Sequence, residues 1–157
     1  MKRLEWFFKL ALAVLLSVIL WRPFRKRRAH GRLSTARRIL LVRIDNRVGE
    51  ALLTTPLFDA LKNADRPFEV HVLVHPKIER ILNQHPQIDR LWTWTADFRT
   101  LRSLRSQHLD VVINCGNWAT QSVTSAVVSR FVGASGVVVG PANFPSGWLA
   151  DIGVTAR

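Results

Sequence analysis

The feature that most limits the folds open to this chain is the run Ile39-Leu40-Leu41-Val42, four consecutive apolar residues with no Gly or Pro among them. An alternating strand buries one face, whereas an unbroken apolar strand needs cover on both, as in a parallel sheet between helical layers. The run breaks at Asp45-Asn46-Arg47-Val48-Gly49, a polar turn with one glycine. From Glu50 onward Leu53, Leu57 and Leu61 recur at helical spacing, with Pro56 as the only interruption. Strand, turn and helix in that order make a first βα unit. In open α/β sheets the ligand crevice lies outside the carboxyl ends of the strands, beside such a turn.

The rest of the chain repeats the scheme. Phe68–Val74 reads as a second strand, and a short helix opens at Pro76 with Ile78, Ile81 and Leu82 on its apolar side. Ile88–Trp94 reads as a third strand, followed by an amphipathic helix marked by Phe98, Leu101 and Leu104. Leu109–Asn114 is a fourth strand, about Trp118 to Phe131 a helix, and Gly136–Gly140 a short fifth strand. Strands alternating with helices specify a parallel sheet with right-handed crossovers, an α/β Rossmann-like architecture. Residues 37–140 form this domain, while 141–157 show no period and read as an irregular tail, the start of a further domain.

Charge is distributed unevenly. Residues 1–40 hold eleven Lys/Arg against the single acid Glu5, and residues 41–157 hold twelve against ten Asp/Glu. The basic excess therefore belongs to the N-terminal segment, and the folded part lacks the electrostatic footprint of a nucleic-acid binder. Within that segment Leu10–Trp21 is apolar except for Ser17, and it extends back to Leu4 if Glu5 and Lys9 pair four residues apart. Eighteen helical residues span about 27 Å, close to a hydrocarbon core of about 30 Å. Trp6 and Trp21 bracket the run, and Arg22-Pro23 and Arg25–Arg28 follow it with no small-residue cleavage site. Residues 1–36 thus read as an uncleaved membrane-anchor helix and a basic linker. Eight Lys/Arg between Arg22 and Arg38 place the C-terminal side in the cytoplasm, against anionic lipid.

Candidate chemistry centres on the first turn. It lacks the G-x-G-x-x-G spacing of a dinucleotide site and no P-loop occurs, so no nucleotide cofactor is expected. The lone Cys115 allows neither a disulfide nor a Cys/His zinc set, and it reads as a small buried residue. His71 and His75 share no helical face, so no metal site is expected there. Glu50 has two readings. In a first helical turn it complements the macrodipole, worth about 0.3–1 kcal/mol; at a strand's carboxyl end it is placed to take a proton from a hydroxyl as general base. Asp45 likewise either caps the turn or lines the crevice. Trp92 and Trp94 read as packing.

The stretch RIDNRVGEALLTTPLFDAL resembles the opening of glycosyltransferase family nine, the bacterial lipopolysaccharide heptosyltransferases, whose first strand runs into an R-x-D-x-x-G-D-x-x-x-T-x-P-like signature. The matching residues are Arg43, Asp45, Gly49, Glu50, Thr54 and Pro56, with Thr55 between the last two. His75-Pro76 and His85–Asp89 add supporting matches, so the resemblance covers about residues 37–140. It implies the N-terminal half of a GT-B fold, in which two Rossmann-like domains face across a cleft. The N-terminal half takes the acceptor, and the other binds a nucleotide sugar such as ADP-heptose. By resemblance Glu50 holds the place of the catalytic aspartate, and the acceptor cleft is expected to be lined by Asp45, Arg47, Gly49, Thr54, Thr55 and Asn117, of which Arg47 and Asn117 lie outside the matched signature. The implied partners are membrane lipid, a lipid-linked glycan acceptor and the nucleotide sugar, with the donor site supplied by a further domain or a partner chain. The competing reading is a non-catalytic, membrane-tethered glycan-binding or scaffold protein derived from a transferase half.

Overall fold

A computed structural model describes residues 29, 31–116, 122–142 and 146–155. The anchor helix expected within residues 1–28 lies outside the described residues; among those described, no helix is long and apolar enough to cross a membrane. Six parallel strands form one sheet: β1 (Arg38–Arg43), β2 (Glu69–Val74), β3 (Arg90–Thr93), β4 (Val111–Asn114), β5 (Val137–Pro141) and β6 (Ile152–Val154), in the order β3-β2-β1-β4-β5-β6. The connecting helices are α1 (Val48–Leu52), α2 (Thr55–Lys62), α3 (Pro76–Leu82), α4 (Phe98–Arg105) and α5 (Val123–Val132).

The unbroken apolar run at β1 does what its composition requires. The strand sits in the middle of the sheet, paired with β2 on one side and β4 on the other. Ile39 and Leu41 join Val70, Val72 and Val111 on one face, against Ala51, Phe58, Ile78 and Leu82 from α1, α2 and α3. Leu40 and Val42 join Leu73, Val112 and Val138 on the other, against Leu104, Val128 and Val132 from α4 and α5. Each face is covered by a helical layer, and the chain changes layers where it crosses from β3 to β4. Trp92 and Trp94 pack against the second cluster, as their sequence position suggests.

Two expectations are corrected. The helix after the first turn is not continuous: α1 ends at Leu52 and α2 begins at Thr55, with Pro56 in its first turn. Proline has no N–H to continue the ladder, and it suits the first turn of a new helix. The break rotates the apolar register, so Leu53 is 80% exposed while Phe58 is fully buried. The stretch from Pro141 onward is not wholly irregular either. It contributes the end of β5, a 3-10 turn at Ser146–Leu149 and the edge strand β6.

One device recurs along the amino edge of the sheet. Asp110 donates its N–H to Arg38 O (3.0 Å) and accepts the Arg38 N–H on Oδ2 (2.9 Å). Asp89 clasps Val70 in the same two-way fashion, at 2.9 and 2.6 Å, and Asp151 clasps Val138 at 2.7 and 2.9 Å. Each aspartate stands just ahead of a strand and fixes that strand's register against its inner neighbour. Asp110 and Asp151 also bind a second donor, the Arg37 N–H at 2.8 Å and the buried Arg130 Nη1 at 3.0 Å. Burial pushes the Asp89 carboxyl up, but Lys62 and the Val70 N–H outweigh it and hold it below the usual aspartate range.

Leaving a strand's first N–H groups unpaired costs about 1–3 kcal/mol. Asp110→Ala is therefore expected to lower unfolding free energy by that amount, whereas Leu53→Ala changes it by about 0.5 kcal/mol or less. Urea denaturation followed by circular dichroism checks both values.

Candidate functional site

The order β3-β2-β1-β4 places β1 and β4 at the point where the sheet reverses its winding, and ligands of doubly wound sheets bind at the carboxyl ends there. Arg43 is the last residue of β1. Across the gap Cys115 extends β4, its N–H donating to Val42 O at 3.0 Å. The guanidinium of Arg43, with the side chain only 7% exposed, lies in the reversal point. Its Nη1 donates to Cys115 O and its Nη2 to Glu50 Oε2, while Nε stands 3.1 Å from Asp45 Oδ2 as an ion pair. One side chain thus ties the end of β4, the turn after β1 and helix α1 together.

The turn adds a second cation. Arg47, the residue capping α1, donates its N–H to Asp45 Oδ1 at 3.2 Å, and its Nη1 pairs with Glu50 Oε1 at 2.7 Å. Glu50, 32% exposed, is therefore gripped by two guanidinium groups, one buried and one 48% exposed. The Arg47 hydrogen bond, followed by the bond and charge of Arg43, outweighs partial burial and holds the Glu50 carboxyl below the usual range. Arg47 is in turn raised, chiefly by Glu50. Because the Glu50 pKa is depressed on folding, its ion pairs stabilise the fold above the ordinary value of 4.5. That contribution is lost as pH falls through the lower folded value.

The end of β4 is fixed by a neutral network. Buried Asn114 accepts on Oδ1 from Gly116 N–H at 3.0 Å and from Ser125 Oγ–H of α5. A Cβ on Gly116 would stand 3.0 Å from both oxygens, so only glycine fits without displacing them. Gly49 is the opposite case. Apart from its chain neighbours and the backbone of its own helix, no described atom lies within 4 Å of where its Cβ would be, and its backbone is not left-handed. The fold makes no demand for glycine there, which leaves open space above the first turn of α1.

Of the residues singled out in the sequence, Asp45, Arg47, Gly49 and Glu50 come together at the reversal point. Thr54 and Thr55 instead turn their hydroxyls back onto helical carbonyls, donating to Ala51 O at 2.6 Å and Leu52 O at 2.9 Å, where they finish α1. Asn117 lies outside the described residues. Arg43 belongs to the matched signature but was not placed among the acceptor-lining side chains, and the structure puts it at the centre. An arginine closing the unbroken apolar run of RILLVR is the sequence signal that marks it. The Cys115 thiol is pushed up to about 12 by burial, against the pull of Arg43, so it is protonated at neutral pH. Among the described residues no set of three His, Cys, Asp or Glu side chains is assembled to hold a metal.

Fold and site together define a doubly wound α/β domain with a carboxylate–guanidinium cluster at its reversal point. Its fold is similar to two solved structures. One is the glycosyl transferase family 9 from Veillonella parvula DSM 2008, with TM-score 0.60 and 16% identity over 77% of this chain and 36% of that one. The other is the E. coli ADP-heptose lps heptosyltransferase II, with TM-score 0.57 and 17% identity over 71% of this chain and 33% of that one. The chain thus spans about a third of the length of these structures. At this identity the likeness is one of fold, and it meets the fold resemblance drawn from the first turn. No profile of a known family matches the sequence, and no curated protein does.

The cluster's asymmetry sets its response to substitution. A lysine at position 43 offers one point charge where a fork reaches three segments, so Arg43→Lys is expected to cost about 1–3 kcal/mol in stability. The same change at the exposed Arg47 costs less; thermal denaturation of both variants checks the ranking. Gly49→Ala should be neutral or stabilise the fold by up to about 1 kcal/mol, since alanine is the better helix former.

Proposed function

We propose that this chain is the acceptor-side half of a two-domain glycosyltransferase of GT-B type, similar to the heptosyltransferases of lipopolysaccharide or related cell-surface glycan assembly. The observation that carries the proposal is Glu50, a carboxylate at the β1–β4 reversal point of a sheet similar in fold to family-nine transferases. In this reading a hydroxyl of the acceptor enters above Gly49. Its oxygen forms a bond to the anomeric carbon of a nucleotide sugar, the bond from that carbon to the diphosphate breaks, and the electron pair leaves with the nucleoside diphosphate. Glu50 takes the hydroxyl proton. The nucleotide sugar, ADP-heptose or a relative, is bound by a second domain or by a partner chain. Residues 1–36 hold the domain at the cytoplasmic face of the inner membrane, where a lipid-linked acceptor is presented.

A second reading is favoured by a specific observation. Two guanidinium groups lower the basicity of Glu50, which suits a cluster built to bind a glycan more than one built to deprotonate it. This reading is a membrane-tethered, non-catalytic binding module.

Transfer of labelled heptose from ADP-heptose to a lipopolysaccharide core acceptor, measured on the full protein in its source membranes, separates the two. Glu50→Gln is expected to lower kcat by about 10²–10⁴-fold, the usual contribution of a general base. Activity within a few-fold of the parent would remove Glu50 from the chemistry. Glycan binding with no transfer in the parent protein would favour the binding module.

A further inference from the structure

We propose that the outer face of α4, together with Phe131 of α5, is a docking surface for a bilayer that carries anionic lipid. The contact is separate from residues 1–36 and does not depend on the chemistry at Glu50.

The polar side of α4 carries one sign of charge. Between Phe98 and Leu109 the chain has three arginines and no acid. At 3.6 residues per turn Arg105, Phe98, Arg102 and Arg99 follow one another round the helix within an arc of about 120°, while Leu101 and Leu104 pack into the core. Helix α5 adds no acid, and its own Arg130 is buried on Asp151. The acid nearest in sequence, Asp97, turns its carboxylate onto the first turn of α4, accepting the Arg99 N–H at 2.9 Å. Among the described residues Arg99, Arg102 and Arg105 therefore make no ion pair.

Apolar surface lies inside this basic arc. Phe98 is 63% exposed, and its ring adjoins that of Phe131 with centroids 5.8 Å apart. The Arg105 guanidinium lies over the Phe131 ring, 5.1 Å from its centroid. A single exposed phenylalanine calls for no partner. Two adjoining rings with three cations around them form the combination that an anionic bilayer receives: the rings enter the boundary of the acyl chains while the long arginine stems carry their charge to the phosphates.

Charge selects this occupant over a second copy of the chain, because two such faces would set arginine against arginine. The other basic tract of the sequence also reaches the domain nearby. Arg32 Nη1 donates to Ser135 O at 3.1 Å, four residues beyond Phe131, and Arg25–Arg28 directly precede Ala29 in the chain. Basic residues close to one anionic surface reinforce one another, each strengthening attachment about fivefold.

The test reads the two rings directly. The full chain carrying 4-fluorophenylalanine is reconstituted in nanodiscs, and ¹⁹F NMR signals are assigned by their loss in Phe58→Leu, Phe98→Leu and Phe131→Leu. A lipid with a nitroxide near its headgroup broadens the rings that approach the bilayer. In discs of phosphatidylcholine with phosphatidylglycerol, Phe98 and Phe131 should broaden, whereas Phe58, buried in the opposite helical layer, should not. In phosphatidylcholine alone the broadening of Phe98 should fall several-fold. Replacing both Arg99→Gln and Arg102→Gln should weaken the contact on the order of thirtyfold, with the Phe58 signal unmoved as the sign of an intact fold. No broadening of Phe98, equal broadening in both kinds of disc, or no change in the double variant would each overturn the proposal. So would a Phe98 signal that ignores the nitroxide and shifts with protein concentration, which assigns the face to a second copy, or one that shifts only with single-stranded RNA. Phe7 and Phe8 report on the expected anchor in the same spectrum, so its failure and the failure of this face are told apart.

Discussion

A guanidinium buried at the end of the central strand has to find partners within reach, and Arg43 finds two hydrogen-bond acceptors and a further ion pair on three separate segments. The carbonyl of Cys115, the carboxylate of Asp45 and the carboxylate of Glu50 are brought to it by β4, the first turn and α1. Because an unpaired charge in that position would be costly, the pairing dictates how the turn runs and where α1 begins. Helix α1 has only five residues and no side-chain hydrogen bond at its cap. Isolated helices of that length are not stable in water. It is held instead by Ala51 packing in the core and by Glu50 on Arg43.

Much of the sheet can be read from the chain because its demands are one-dimensional. A strand covered on both faces needs consecutive apolar residues, so β1 and β4 announce themselves in Ile39–Val42 and Val111–Ile113. Strand β6 does not. It has three residues, one of them glycine, lies at an edge and is partly exposed, so no apolar run marks it. Its place is set by the clasp between Asp151 and Val138, a contact between residues thirteen apart in sequence that no periodicity encodes. The pattern of an aspartate directly ahead of an apolar strand segment was present at residues 110 and 151, but its meaning depends on which strand lies alongside.

The same division applies to the site. Asp45, Arg47, Gly49 and Glu50 are close in sequence, so a reading of the turn collects them. Arg43 depends on the parallel pairing of β1 with β4, which brings Cys115 from 72 residues away. The two threonines come from the resemblance, and the bonds from their hydroxyls to the last carbonyls of α1, next to the start of α2 at Thr55, are not announced by any periodicity.

The entry of the chain into the domain has a consequence of its own. Ala29 and Ala36 are buried, and Arg32 Nη1 donates to Ser135 O at 3.1 Å, so the segment ahead of β1 is seated beneath the amino ends of β1 and β5. The charged cluster stands at the other pole. Six residues of β1 at about 3.3 Å each separate the two by about 20 Å. The described segment ahead of β1 therefore lies at the pole facing away from Glu50. Substitutions at Arg32 and at Arg43 share no partner across that distance, so their effects on stability add.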